Sequence, residues 1–170
     1  AALKKGFDAR KGDIFSFPEQ SEEFDVITLS HVIEHVHDPR AVIHEIYRLL
    51  KPGGHVWLET PNIDSYGHNK FGSNWRGLEP PRHLVLFNWA SMERLLRGEG
   101  FESVRSLLLL DVYPNLAASS RAISTGNDPY KVTATIRDRI VGKLVNMRTR
   151  MSPNRSEFIT MSAVKPGPKV

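Results

Sequence analysis

Residues 24–62 read FDVITLSHVIEHVHDPRAVIHEIYRLLKPGGHVWLETPN, which places a strand, a polar cluster, a helix and a second strand in one unbroken unit. Residues 24–29 form a short run rich in β-branched side chains, as expected of a strand covered on both faces. Ser30, His31, Glu34, His35, His37 and Asp38 crowd the region just past its carboxyl end, where open α/β sheets bind their ligands. Asp38 and Pro39 then predict a helix start, as N-cap and first helical residue. Val42, Ile43, Ile46, Leu49 and Leu50 share one face of that helix, with Arg40, His44, Glu45 and Arg48 opposite. Pro52 cannot continue it, and Gly53-Gly54 permits a reversal into a second strand at residues 55–58. Two strands joined through a helix are almost always parallel, so a parallel α/β sheet is expected.

The 170 residues, 40% of them apolar, suffice for one hydrophobic core, and no run approaches the roughly 20 apolar residues that cross a bilayer. The absence of cysteine excludes disulfides and thiolate-ligated metals. The start at Ala1 has no charged-then-apolar signal layout, so a cytoplasmic location is the expectation. Charge is uneven. Between Pro129 and Arg155, seven basic residues face the single acid Asp138, a local balance of +6 against +4 for the whole chain. Ile136, Ile140, Leu144, Met147 and Met151 recur there at helical spacing, which predicts a basic amphipathic helix. One reading docks it on the sheet or on a partner with its charges solvated; another assigns it an anionic substrate, an acidic carrier or a membrane surface. No nucleic-acid-binding motif interleaves aromatics with these charges.

The series FDVI, HVIEHV, DP, LLKPGG and a strand ending in TPN resembles the latter half of a class I S-adenosylmethionine-dependent methyltransferase. The likeness is strongest to the O-methyltransferases of ubiquinone synthesis and to sugar methyltransferases. It continues through NWRGLEPPRHLVLFNWASMERLLRGEGF, residues 74–101, similar to the stretch with which that family covers its substrate pocket. The resemblance implies an incomplete Rossmann-like sheet, mostly parallel with an antiparallel last strand and helices on both faces. It implies one domain over residues 1–164, a substrate cap at 61–87, a variable segment at 111–155 and a disordered tail at 165–170. The family's glycine-rich cofactor turn is not in this sequence, and its twelve glycines include no G-x-G-x-x-G. The expectation is therefore a truncated domain, with residues 1–6 closing a helix, residues 7–9 opening the third strand, and the fragment inactive alone. A strand edge left open at Val26 to Leu29 would seek a partner, for example a second copy.

By the same resemblance Asp13 accepts a hydrogen bond from the cofactor's adenine, Ile14 lies against the ring, and Ser30 and His31 line the cofactor opposite. Methyl transfer needs an acceptor held in line and, for a hydroxyl, a proton acceptor, a task suited to histidine. His31, His35 and His83 are the candidates, His83 in the cap. The acceptor is expected to be a small hydroxylated or sugar-like molecule, or an anionic one. Asn62 is a candidate to bond it, with Tyr66 and Trp75 as walls of the long segment 61–80. Family members hold a Mg²⁺-like ion with E-x-x-E-H. Here His31 replaces the first glutamate, leaving Glu34 and His35 as divalent-metal ligands. Two alternatives stay open: a binding module on the same fold, and a metal-dependent hydrolase using H-x-x-E-H, which requires a continuous helix.

Overall fold

The computed structural model describes residues 5–6, 8–16 and 21–168. Strands β1 (Phe24–Ser30) and β2 (Leu50–Pro61) pair in parallel and flank helix α1 (Pro39–Leu49). The Asp38 carboxylate caps α1 by accepting from the Ala41 amide at 3.0 Å, with Pro39 in the first turn. α1 buries Val42, Ile43, Ile46 and Leu49. The chain then passes through the short helix α2 (Tyr66–Phe71), helix α3 (Trp89–Gly98) and strand β3 (Glu102–Ser106). Asn88 caps α3, its side chain accepting from the Ser91 amide at 2.9 Å. Two helices follow, α4 (Tyr113–Ser124) and α5 (Ile136–Met151), before the last strand β4 (Phe158–Val164).

The sheet order is β1-β2-β4-β3, and β4 runs antiparallel to both neighbours. β1, β2 and β3 therefore point one way and the last strand reverses, as expected of the incomplete Rossmann-like sheet. Ile33, Ile43, Ile46, Leu50, Val56, Leu58, Met92, Leu96 and Ile159 fill one core between the sheet and helices α1 and α3. A second, smaller cluster of Tyr113, Ala117 and Val145 joins α4 to α5.

Several expectations change. β1 is not covered on both faces: among the described residues it is an edge strand, with Phe24 40% and Val26 56% exposed. The expected strand at residues 7–9 is absent at Asp8 and Ala9, while Phe7 and residues 1–4 lie outside the described residues.

The expected tail is anchored at its start. Lys165 is buried, its amine bonding the Leu50 carbonyl at 2.8 Å and Glu22 at 3.1 Å. A lysine on four methylenes can reach across the end of β2 and bury its stem while the ammonium finds an acid.

The largest change is in α5, which turns its apolar stripe outward. Ile136, Ile140, Leu144, Met147 and Met151 are each more than half exposed, while Asp138, Gly142, Val145 and Thr149 form the docked face. Close approach explains it. Gly142 lies against Pro114 of α4, where a Cβ would come within 2.6 Å of the proline ring. Arg121 of α4 also forks onto both oxygens of buried Asp138.

Candidate functional site

A polar cluster gathers at the carboxyl ends of β1 and β2. β1 ends at Ser30, and His31 follows with a left-handed backbone, φ 52°, its amide donating to the Glu59 carbonyl at 2.9 Å. Such backbone conformations in a non-glycine residue concentrate at functional sites. A single 3₁₀ turn, Ile33–His35, carries Glu34 and His35. It is too short to be the continuous helix that the H-x-x-E-H hydrolase motif needs.

Glu34 is fully buried and is the hub of the cluster. Its Oε2 accepts from the Thr60 hydroxyl at 2.9 Å, and its Oε1 lies 3.3 Å from His31 Nδ1. His35 Nε2 and His83 Nε2 approach the same oxygen at 3.9 and 4.0 Å. Burial pushes the Glu34 carboxyl up, but bonds from His31, its own backbone and Thr60 outweigh burial and hold it below the ordinary range. The Glu34 bond likewise raises the His31 pKa above 6.5 against the opposing effect of burial, with Glu59 assisting, 3.3 Å from Nε2.

His35 and His83 share a second property. His35 Nδ1 lies 2.8 Å from the Arg82 carbonyl, and His83 Nδ1 lies 2.8 Å from the Gly77 carbonyl. A carbonyl accepts only, so each Nδ1 donates its hydrogen there and Nε2 is the ring nitrogen left for other partners. The cap is held here by main chain: the Glu34 carbonyl accepts from the Leu84 amide at 2.8 Å.

These groups open onto a cavity of about 430 Å³ lined by His31, His35, Arg76, Glu79, Arg82, His83, Asn115, Ser119, Tyr130 and Phe158. Within it Glu79 accepts from Tyr130 at 2.7 Å and pairs with Arg76 and Arg82. Burial opposes ionisation of Glu79, yet bonds from Arg76 and Tyr130 bring its pKa down to about 2. Sequence reading missed Glu79, Arg76, Arg82, Tyr130 and Glu59. The spacing of Arg76, Glu79 and Arg82 three residues apart was the available signal, but it points inward only because the cap folds into turns.

A second cleft, of about 580 Å³, runs beside β1 and is lined by Asp13, Ile14, Ile27, Thr28, Leu29, Val32, Val36, His37, Asp38, Val42 and Ile46. It unites Asp13 and Ile14 with the strand, while Ser30 stands exposed at the strand end and His31 belongs to the first cavity.

Two expected substrate contacts, Asn62 and Trp75, are corrected. Asn62 is fully buried, its amide donating to the Asn154 and Ser156 carbonyls at 2.9 and 2.7 Å and its Oδ1 accepting from the Asp64 amide. It fastens the end of β2 to the turn before β4 and has no surface to offer. Trp75 is 1% exposed, wedged against Gly67 and Gly77 with its Nε1 on Glu157. Tyr66 packs on the α4–α5 cluster. Their place in the cavity wall is taken by α4, through Asn115 and Ser119.

A parallel sheet closed by an antiparallel last strand, with its polar site at the strand ends beside an apolar cleft, defines the class I methyltransferase fold. A family model described as a methyltransferase domain matches residues 3–106, and the chain belongs to that family. Over 44 residues it is 52% identical to the ubiquinone biosynthesis O-methyltransferase of Pseudomonas putida strain W619, covering 26% of this chain and 19% of that protein. The chain thus spans about a fifth of the length of the curated relatives it matches. A SAM-dependent methyltransferase of Thermotoga maritima superposes with TM-score 0.63 at 19% identity, covering 96% of this chain and 67% of that one. One from Archaeoglobus fulgidus gives 0.59 at 18% identity, over 95% and 69%. At these identities the structures show the shared fold.

Proposed function

We propose that these residues form the adenine-facing and acceptor-facing parts of an S-adenosylmethionine-dependent methyltransferase acting on a small hydroxylated or sugar-like acceptor. The observation that carries the reading is the pair His35 and His83. Both set Nδ1 against a backbone carbonyl and line one cavity with Nε2 left free of that bond, beside a buried carboxylate.

The residues fit the cofactor's adenine end. The cleft beside β1 is apolar along Ile14, Ile27, Leu29 and Val42, with the Asp13 carboxylate at its edge, which suits a flat ring bearing an amino group. When bound, S-adenosylmethionine supplies a methyl group on a positively charged sulfur. The protein's own work is then to orient the acceptor and hold its proton. His83, whose side chain is 5% exposed and braced by Gly77, takes the hydroxyl proton on Nε2, and Glu34 stabilises the resulting imidazolium. Arg82, at the rim, offers a positive charge to an acceptor that carries an anion.

A second reading of the same cluster adds a divalent cation. Glu34, His35 and His83 each offer a ligand atom, all within 4.8 Å of one another, and both histidines have the carbonyl-braced geometry that metal ligands adopt. Two imidazoles and one carboxylate favour a transition metal over Mg²⁺.

The test is label transfer from methyl-labelled S-adenosylmethionine to catechols, sugars and their phosphates by a longer protein in which these 170 residues are joined to the family's glycine-rich turn. His83→Gln should lower kcat about 100-fold or more with cofactor affinity unchanged, and Asp13→Ala should weaken S-adenosylhomocysteine binding measured by calorimetry. Residues 1–170 alone should bind S-adenosylhomocysteine weakly and transfer nothing. Wild-type rates in His83→Gln overturn the base assignment, and tight binding by residues 1–170 overturns the claim of an incomplete cofactor site. Activity unchanged by chelators overturns the metal reading.

A further inference from the structure

The methyltransferase site uses α4 as a wall but leaves α5, on the far side of α4, without a task. We propose that the exposed face of α5 is a docking surface for the headgroup layer of an anionic phospholipid membrane. Its 16 residues make a rod about 24 Å long. Along it Ile136, Ile140, Leu144, Met147 and Met151 are 78, 59, 54, 56 and 80% exposed. A continuous apolar stripe facing water costs free energy and marks an interaction site.

The charges say what covers it. At 3.6 residues per turn, Arg137 and Arg148 border the stripe on one long side, and Arg139, Lys143 and Arg150 border it on the other. All five are exposed, and none has an acidic partner among the described residues. The helix's one acid, Asp138, is buried on the docked face and paired with Arg121. An apolar stripe with basic residues along both edges and no exposed acid is the arrangement of a helix lying in a membrane interface, apolar side chains among acyl chains and cations on headgroup phosphates.

A second copy of this chain is disfavoured, because pairing two such faces brings ten cations together across the contact with no acid between them. A protein groove would need acids on both of its walls over the whole length, whereas a negatively charged plane meets both edges at once. No helix among the described residues is long and apolar enough to cross a membrane, so the contact is peripheral.

The docked side of α5 shows that this exposure belongs to the fold. Gly142 against Pro114, the Arg121–Asp138 pair and buried Val145 hold the opposite face down. Asp111, just past the exposed Leu107, Leu108 and Leu109, bonds Asn146 at 2.6 Å and brings that apolar segment to the same helix.

Flotation of the chain with vesicles tests the proposal. Vesicles of phosphatidylcholine and phosphatidylglycerol in equal parts should carry the protein, and vesicles of phosphatidylcholine alone should not. Leu144→Asp should reduce flotation roughly tenfold or more, because it places a charge in the stripe. Arg137→Glu with Arg148→Glu should do the same through headgroup repulsion, and high salt should mimic them. Circular dichroism melts of both variants should match wild type, since every changed side chain is exposed. Equal flotation with both vesicle types removes the charge argument, and flotation with neither overturns the proposal. Light scattering that finds a dimer dissolved by Leu144→Asp assigns the face to a second copy instead.

Discussion

Glu34 Oε1 and His31 Nδ1 stand 3.3 Å apart, the acid fully buried and the imidazole, 39% exposed, facing the cavity. The carboxylate is the largest cause of the raised His31 pKa. Titrating the imidazole Hε1 resonance by NMR should give a midpoint above 6.5, and Glu34→Gln should bring it back toward 6.5. Because the His31 pKa is raised and the Glu34 pKa lowered, the pair's contribution to stability is complete between about pH 4.5 and 6.5, and is lost as pH rises through the folded His31 value or falls through the folded Glu34 value. A midpoint unchanged by Glu34→Gln would show that Glu59 alone sets the charge of His31.

Glu157 behaves in the same direction for a different reason. Burial raises its pKa from 4.5 to about 7, against bonds from the Gly67 amide at 2.8 Å, Trp75 Nε1 and Ser65. Its protonated form is favoured by folding, so stability should fall as pH rises from about 4.5 through 7. Urea melts at pH 5 and pH 8 should show that decline, and Glu157→Gln should flatten it, even though one donor then loses its acceptor.

The Trp75 ring fills the space over Gly77, so that a Cβ there would run into the indole. Gly77→Ala should therefore lower stability by about 1–3 kcal/mol. The same change should displace the carbonyl that braces His83, so chemical shifts of the His83 ring should move with it. A melting temperature equal to wild type would mean that the cap yields there at no cost.

Neighbouring residues on α5 test which face is docked. Val145 is 8% exposed and Leu144 54% exposed. Val145→Ala should cost about 1–2 kcal/mol, and Leu144→Ala should stay within about 0.5 kcal/mol in denaturant melts. The reverse order would restore the orientation that hydrophobic periodicity alone suggests.

At low pH the α4–α5 contact should outlast most carboxylates. Arg121 holds the Asp138 pKa at about 2, against burial. Its stabilisation is present above pH 3.8 and disappears only as pH falls through about 2. Asp138→Asn should separate α4 from α5 at neutral pH, read as faster amide exchange across α5.

Much of the fold was legible because it is locally encoded. Asp38-Pro39 starts α1, Pro52 and the glycine pair follow its end, and the apolar face between them has one period. These signals agree, so the strand–helix–strand order of residues 24–62 is read correctly, while the exposure of β1, the start of β2 at Leu50 and the burial of Asn62 differ. The site was legible in part: His31, Glu34 and His35 lie within five residues on a strand end, and position alone marks them. His83 joins them from 48 residues away, and only the cap brings its Nε2 toward Glu34.

The sequence by itself determined the β1–α1–β2 unit, the polar edge at its carboxyl end and the helix at residues 136–151, since caps, breakers and periodicity act over a few residues. Tertiary structure alone decided that Asn62 and Trp75 are fastenings rather than substrate contacts. It also decided that α5 shows its apolar stripe to solvent. Periodicity reports that a helix has two faces. Which one docks depends on how closely a partner helix approaches, and here a glycine against a proline and one buried ion pair select the polar face.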